Sequence, residues 1–156
     1  MPIPISRKEY TKVEAEIAEH KKESAKVARE IAEAREKGDL SENAEYHAAR
    51  EHKAMIDAKI AQLQSRLAES EIIDTKNIDT EHAGFGTKVT LYNTDEQTDE
   101  VYIIVDEGNA DLRAGKISVT SPIATALNGH VVGDKIEVTI PAGILRFEIK
   151  KIEAAD

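Results

Sequence analysis

The sequence predicts an α+β chain: an N-terminal antiparallel α-helical coiled-coil hairpin, followed by a small antiparallel β-sheet domain with one short helix. Two patterns carry that prediction. The apolar period is helical up to about residue 72 and becomes that of strands beyond residue 86. Within the helical half, two seams of less polar residues mirror each other about residue 40. At 156 residues, 40% hydrophobic and 33% charged, the chain has the balance of a charge-rich globular protein of one or two small domains.

The first helix starts near Arg7. Ser6 followed by Glu9 has the form of a capping box, and Ile5 with Tyr10 occupies the positions of a hydrophobic staple. From there Tyr10, Val13, Ile17, His20, Ser24, Val27, Ile31 and Ala34 step by three and four, a heptad seam. After the segment GDLSEN (38–43), a second seam runs Tyr46, Ala49, Lys53, Ile56, Ile60, Leu63, Leu67 and Ser70. Residue 34 faces 46, 31 faces 49, 27 faces 53, and so on outward. That is the pattern of an intramolecular hairpin with its tip at 37–43, and about 30 residues per arm gives a rod of about 45 Å. Pairing of two chains through the same seams is disfavoured because glycine interrupts the heptads where a hairpin needs it, so a monomer is expected. His20, Ser24 and Lys53 at seam positions are read as setting register rather than as ligands.

Residues 1–75 are thus assigned to the hairpin domain and 76–86 to a linker without helical period. Residues 87–156 form the second domain. Strands are expected at 87–93, 100–106, 116–120, 135–140 and 144–152, the last two joined by a turn at Pro141, Ala142 and Gly143. Ser121 as N-cap, Pro122 at the first helical position and Gly129 just past the end frame a two-turn helix.

The formal net charge of -9 argues against a protein that wraps nucleic acid. Residues 1–79 carry 14 basic and 17 acidic side chains and residues 80–156 carry 7 and 13, so the second half is the more acidic. With no cysteine, disulfides, thiolate zinc sites and a thiol nucleophile are excluded. No segment has the roughly 20 apolar residues of a membrane span, and the start MPIPISRKEY lacks a signal-peptide pattern. No membrane partner and a cytoplasmic location are therefore expected.

The residues of the tip admit two readings. In one they only turn the chain: Gly38 takes a left-handed conformation, Asp39 caps the second helix and Glu42 completes its capping box. In the other, the carboxylates of Asp39 and Glu42 are displayed at the end of a rod. Magnesium takes one or two carboxylates with several waters, so such a tip could supply half of a metal site completed by a partner. Arg35, Lys37, Arg50 and Lys53 form a basic zone near the tip suited to a phosphate backbone, or else merely solvate the helices. Tyr46 fits the seam, whereas His47 is expected to be exposed.

GDLSENAEYHAARE (38–51) closely resembles the tip motif of the GreA/GreB family of bacterial transcript cleavage factors. SPIATALNG (121–129) and VGDKIEV (132–138) resemble the signature of that family's C-terminal domain, so the resemblance covers essentially the whole chain. The acidity and modest basic zone are closer to the first-named branch than to the second. The resemblance implies that the hairpin enters the secondary channel of RNA polymerase. There Asp39 and Glu42 would help hold a second magnesium ion and its attacking water at the polymerase's own active site. The factor would thereby stimulate hydrolysis of the nascent RNA 3′ end in backtracked complexes without being a nuclease alone. It further implies an FKBP-like C-terminal domain docking on the polymerase rim, and no metal held by the free protein. Gly38, Leu40 and Asn43 carry over as tip geometry; Tyr46, His47 and Arg50 carry over as contacts to RNA or polymerase. Ser121 and Pro122 match the docking signature, where capping explains them equally well. Inhibitory paralogues share the architecture but carry a more acidic tip loop, so the intact GDLSEN favours the cleavage-stimulating type.

Three rival functions make distinct demands. A coiled-coil chaperone or scaffold needs exposed apolar residues near the tip, where only Leu40 qualifies. A prolyl isomerase needs an aromatic-lined pocket, yet residues 80–156 offer only Phe85, Tyr92, Tyr102 and Phe147. A channel-occupying inhibitor would bind polymerase without promoting cleavage.

Overall fold

The computed structural model describes residues 2–38 and 43–155. The chain divides into two compact units, Tyr10–Ser70 on one hand and Met1–Glu9 with Glu71–Asp156 on the other.

The helical unit is built on α1 (Arg7–Glu36) and α2 (Ala44–Ala68). Neither helix contains proline or glycine, and each carries a glutamate in its first turn and an arginine in its last, which suits the helix dipole. Every seam position expected from the sequence is buried or half-buried, while nearly all other helical positions of the unit are exposed. Val13, Ile17 and Leu63 form its apolar centre, with Ile60 and Leu67 packed against them. The polar seam residues share a partner. Asp57 accepts hydrogen bonds from the Ser24 hydroxyl and the Lys53 ammonium, each at 2.7 Å. These contacts with Lys53 and Ser24 hold the Asp57 carboxyl below its ordinary range. Glu23 lies 3.4 Å from His52 on the facing helix and 3.9 Å from His20 on its own.

In the other unit, β1 (Ile3–Ile5) and β2 (Ser70–Ile72) form a two-stranded sheet that the sequence does not predict. Three residues are too few to show a period of two. A five-stranded sheet follows, formed by β3 (Thr87–Asn93), β4 (Thr98–Val105), β5 (Lys116–Ser118), β6 (Lys135–Ile140) and β7 (Gly143–Ala154), in the order β5-β4-β3-β7-β6. It is mixed rather than purely antiparallel, because β4 and β5 pair parallel through Ile103↔Lys116 to Val105↔Ser118. Two 3-10 turns, Glu107–Asn109 and Leu112–Ala114, make that crossover. The helix α3 (Pro122–Leu127) contributes Ala124 and Leu127 to a core with Val89, Leu91, Ile104, Ile136, Val138, Phe147 and Ile149.

The expected domain limits shift accordingly. Residues 76–86 are not a free linker: Ala83 is buried in the sheet's core, its N–H donates to the His130 carbonyl (2.8 Å), and its carbonyl accepts from Gly129 N–H (2.9 Å). Residues 1–9 and 71–75, expected with the hairpin, belong to the same compact unit as the sheet. The capping box at the start of α1 is half realised. Ser6 Oγ accepts from Glu9 N–H at 3.1 Å, but the Ser6 N–H donates to Asp106 rather than to Glu9 (2.7 Å). The Glu9 carboxylate instead lies buried beside Gly108 and Asn109. Burial works to raise the Asp106 carboxyl, but hydrogen bonds from Ser6 and Asn109 outweigh it and hold the group below its ordinary range.

Candidate functional site

At the closed end of the hairpin, Asn43 takes the place expected of Asp39. Its side-chain oxygen accepts from Tyr46 N–H (3.1 Å), making it the N-cap of a helix that begins at Ala44. Its side-chain nitrogen donates to the carbonyl of Ala34 near the end of α1 (2.8 Å), and its own carbonyl accepts from His47 N–H (3.2 Å). One asparagine thus satisfies polar groups at both helix ends. The Asp39–Glu42 box is not what caps α2, since its start would lie four residues earlier. Asparagine ranks with aspartate as an N-cap, so residue type does not by itself choose between Asp39 and Asn43. Asp39, Leu40, Ser41 and Glu42 themselves lie outside the described residues. Gly38 has φ +116°, the positive value expected of a residue that ends α1.

The basic zone is less free than its composition implied. Lys37 pairs with Glu45 across the two helix ends at 3.1 Å, and Lys53 is held by Asp57. That correction removes both lysines as unpaired cations, because each sits within reach of a carboxylate one helical turn away or directly opposite. Arg35 and Arg50 remain exposed. Arg50 stands over the ring of Tyr46, its guanidinium carbon 5.6 Å from the ring centroid, in cation–π range. Tyr46 is half-buried at its seam position, and the exposed ring of His47 meets it at a centroid separation of 5.5 Å and an interplanar angle of 67°.

In the sheet unit, Ser121 Oγ accepts from Ala124 N–H at 3.3 Å, and its carbonyl accepts from Thr125 N–H at 2.9 Å, so Ser121 caps α3. Pro122 occupies the first turn and is exposed. Among the described residues, Asp79, Glu81 and His82 bring three metal-type ligand atoms together, but all are exposed. Asp79 is engaged in a local turn, accepting from Glu81 N–H (2.8 Å) with His82 Nδ1 at 2.9 Å. These contacts, with the Glu81 N–H foremost, hold its carboxyl low.

A capped helical hairpin joined to a small mixed sheet matches two family models. Residues 3–72 match the model for the N-terminal part of a transcription elongation factor, and residues 78–154 match that for the GreA/GreB C-terminal part. The chain is therefore of the class of transcription elongation factors. Among curated proteins, the transcription elongation factor GreA of Phenylobacterium zucineum is 41% identical over 97% of this chain and 97% of its own. That of Rickettsia prowazekii is 45% identical over 96% of this chain and 93% of its own. The chain belongs to the GreA/GreB family. The crystal structure of GreA factor homolog 1 of Thermus thermophilus aligns over 99% of this chain and 100% of that one, at 24% identity and a TM-score of 0.46. That superposition is too loose to carry an argument, and the assignment rests on the family models and the GreA relatives.

Proposed function

We propose that the protein binds RNA polymerase as a monomer, inserts its hairpin into the secondary channel, and stimulates cleavage of the RNA 3′ end in backtracked complexes. The observation that carries this reading is the clamp made by Asn43. Its side-chain amide bridges the end of α1 and the start of α2, so the N-cap place expected of Asp39 belongs to Asn43. Two hard oxygen donors suit magnesium, which keeps most of its waters and accepts one or two protein carboxylates. Asp39 and Glu42 would hold the ion only together with ligands of the polymerase. Bound there, magnesium would neutralise charge at the reacting phosphate and polarise a water.

The chain's own part is to deliver and orient. The antiparallel seam stiffens the hairpin, the Asn43 clamp ties the end of α1 to the start of α2, and Arg35 offers positive charge to the RNA backbone. Leu40 and Gly38 serve the shape of the tip. Ser121 and Pro122 lie at the start of α3 on the unit that would dock at the channel rim, with Ser121 engaged as a cap. The protein is not a nuclease by itself. The rival readings fare worse on the same observations. Met55 is the only large exposed hydrophobe among the described residues of the helical unit, too little for a chaperone's clasp. In the sheet unit Phe147 is core and the Tyr102 hydroxyl donates to Glu100, which leaves little to line an isomerase pocket. No helix among the described residues is long and apolar enough to cross a membrane.

The test is RNA cleavage by a backtracked polymerase in magnesium, with and without the protein. Stimulation is expected from the intact chain and not from Asp39→Asn/Glu42→Gln, which should fold and bind as before because neither residue caps α2. Binding without stimulation by the intact chain would make it a channel-occupying inhibitor.

A further inference from the structure

The first two turns of α2 carry a group of side chains for which metal positioning has no use. Tyr46, wedged in the seam, presents its ring to two exposed planar groups, the His47 imidazole and the Arg50 guanidinium. Among the described residues neither the His47 nor the Arg50 side chain makes a hydrogen bond or an ion pair. Their neighbours behave differently, since Lys37 and Lys53 are both neutralised by carboxylates. Arg50 instead lies over an aromatic ring. The Tyr46 backbone N–H is held by the Asn43 cap (3.1 Å), so the residue whose ring both groups meet is anchored where α2 begins.

We propose that Tyr46, His47 and Arg50 form a stacking platform for one unpaired nucleobase of the RNA 3′ segment. This rests on the transcript-cleavage reading above and gives the tip a second role, that of holding a base while the carboxylates act at the phosphate. An imidazole and a guanidinium each offer a flat face to a base, and a cation beside an aromatic ring strengthens such stacking. Every base has a π-face, and stacking on a plane does not read base edges, so the platform tolerates any base. Anchoring the planes beforehand lowers the entropy lost when a base settles on them.

The experiment uses the full chain and a backtracked polymerase whose RNA ends either in normal nucleotides or in abasic ones at the last two positions. The quantity read is the cleavage rate with factor divided by that without, for each RNA. Losing one stacked base costs roughly fivefold to a hundredfold. The wild type is therefore expected to stimulate cleavage of the normal RNA about tenfold more than of the abasic RNA, for all four bases alike. His47→Ala, at an exposed site, should melt like the wild type and stimulate both RNAs equally, at the abasic level. His47→Phe restores the preference for a base, and His47→Lys does not. Equal stimulation of normal and abasic RNA by the wild type overturns the platform while leaving transcript cleavage intact. Restoration by His47→Lys, but not by His47→Phe, overturns it in favour of a phosphate contact. Binding without stimulation of either RNA removes the cleavage reading and the platform with it.

Discussion

Replacing Asn43 by alanine removes two bonds at once and should open the tip without unfolding the hairpin. Loss of the N-cap to Tyr46 N–H costs about 1 kcal/mol. Loss of the bond to the Ala34 carbonyl costs about another 1 kcal/mol, and no more, because that carbonyl keeps the Lys37 N–H at 3.2 Å. The total of about 2 kcal/mol corresponds to a roughly 30-fold rise in the local opening equilibrium. Amide hydrogen exchange at Tyr46 reads it directly, because that N–H lies in the first turn of α2 and relies on the Asn43 side chain. Exchange at Leu63, in the apolar centre of the seam, should stay as in the wild type. Asn43→Asp keeps the accepting oxygen and loses only the donor, so its effect should be about 1 kcal/mol or less. Unchanged protection at Tyr46 in Asn43→Ala, or equal loss in both variants, would refute the double clamp.

Two further perturbations test the sheet unit. Gly86 has φ +83°, and a Cβ there would meet the Ile78 side chain at 2.7 and 2.8 Å. Gly86→Ala should therefore cost roughly 2–4 kcal/mol from left-handed strain and overpacking, and a thermal melt should show Tm lower by about 10 °C or more. For Asp106, whose folded-state carboxyl is held low, the stabilisation is present above the ordinary Asp range near pH 4 and is lost as pH falls through the lowered folded value. Acid unfolding of Asp106→Asn should be correspondingly less steep below about pH 4, with lower stability near neutrality. Identical acid limbs for the two proteins would show that Asp106 contributes nothing through its charge.

Periodicity fixed most of the architecture in advance, because it is a local property. The positions of the two seams, their mirror at residue 40, the limits of β3 and β6, and the Ser121 cap of α3 all depend on residues within a turn or a strand of one another. The places where structure departs from expectation share a different physics: several groups compete for one partner, and the path of the folded chain chooses. Asp106 displaces Glu9 as the acceptor of the Ser6 N–H from 100 residues away. Asn43 displaces Asp39 as the cap of α2, reaching both Tyr46 and Ala34. The parallel pairing of β4 with β5 depends on the path of the two 3-10 turns between them, which have no period to read.

The same division holds at the tip. Sequence alone determined which residues could act there, since the carboxylates, the basic zone and the aromatic pair are all local to one motif. The folded hairpin decided which of them are already engaged. Within α2, Lys53 pairs with Asp57 and Arg50 lies over Tyr46, each four residues apart; across the turn, Lys37 meets Glu45 and Asn43 reaches Ala34. The reason is that a side chain's chemistry is written in its identity, whereas its availability depends on what the fold brings within about 3 Å of it.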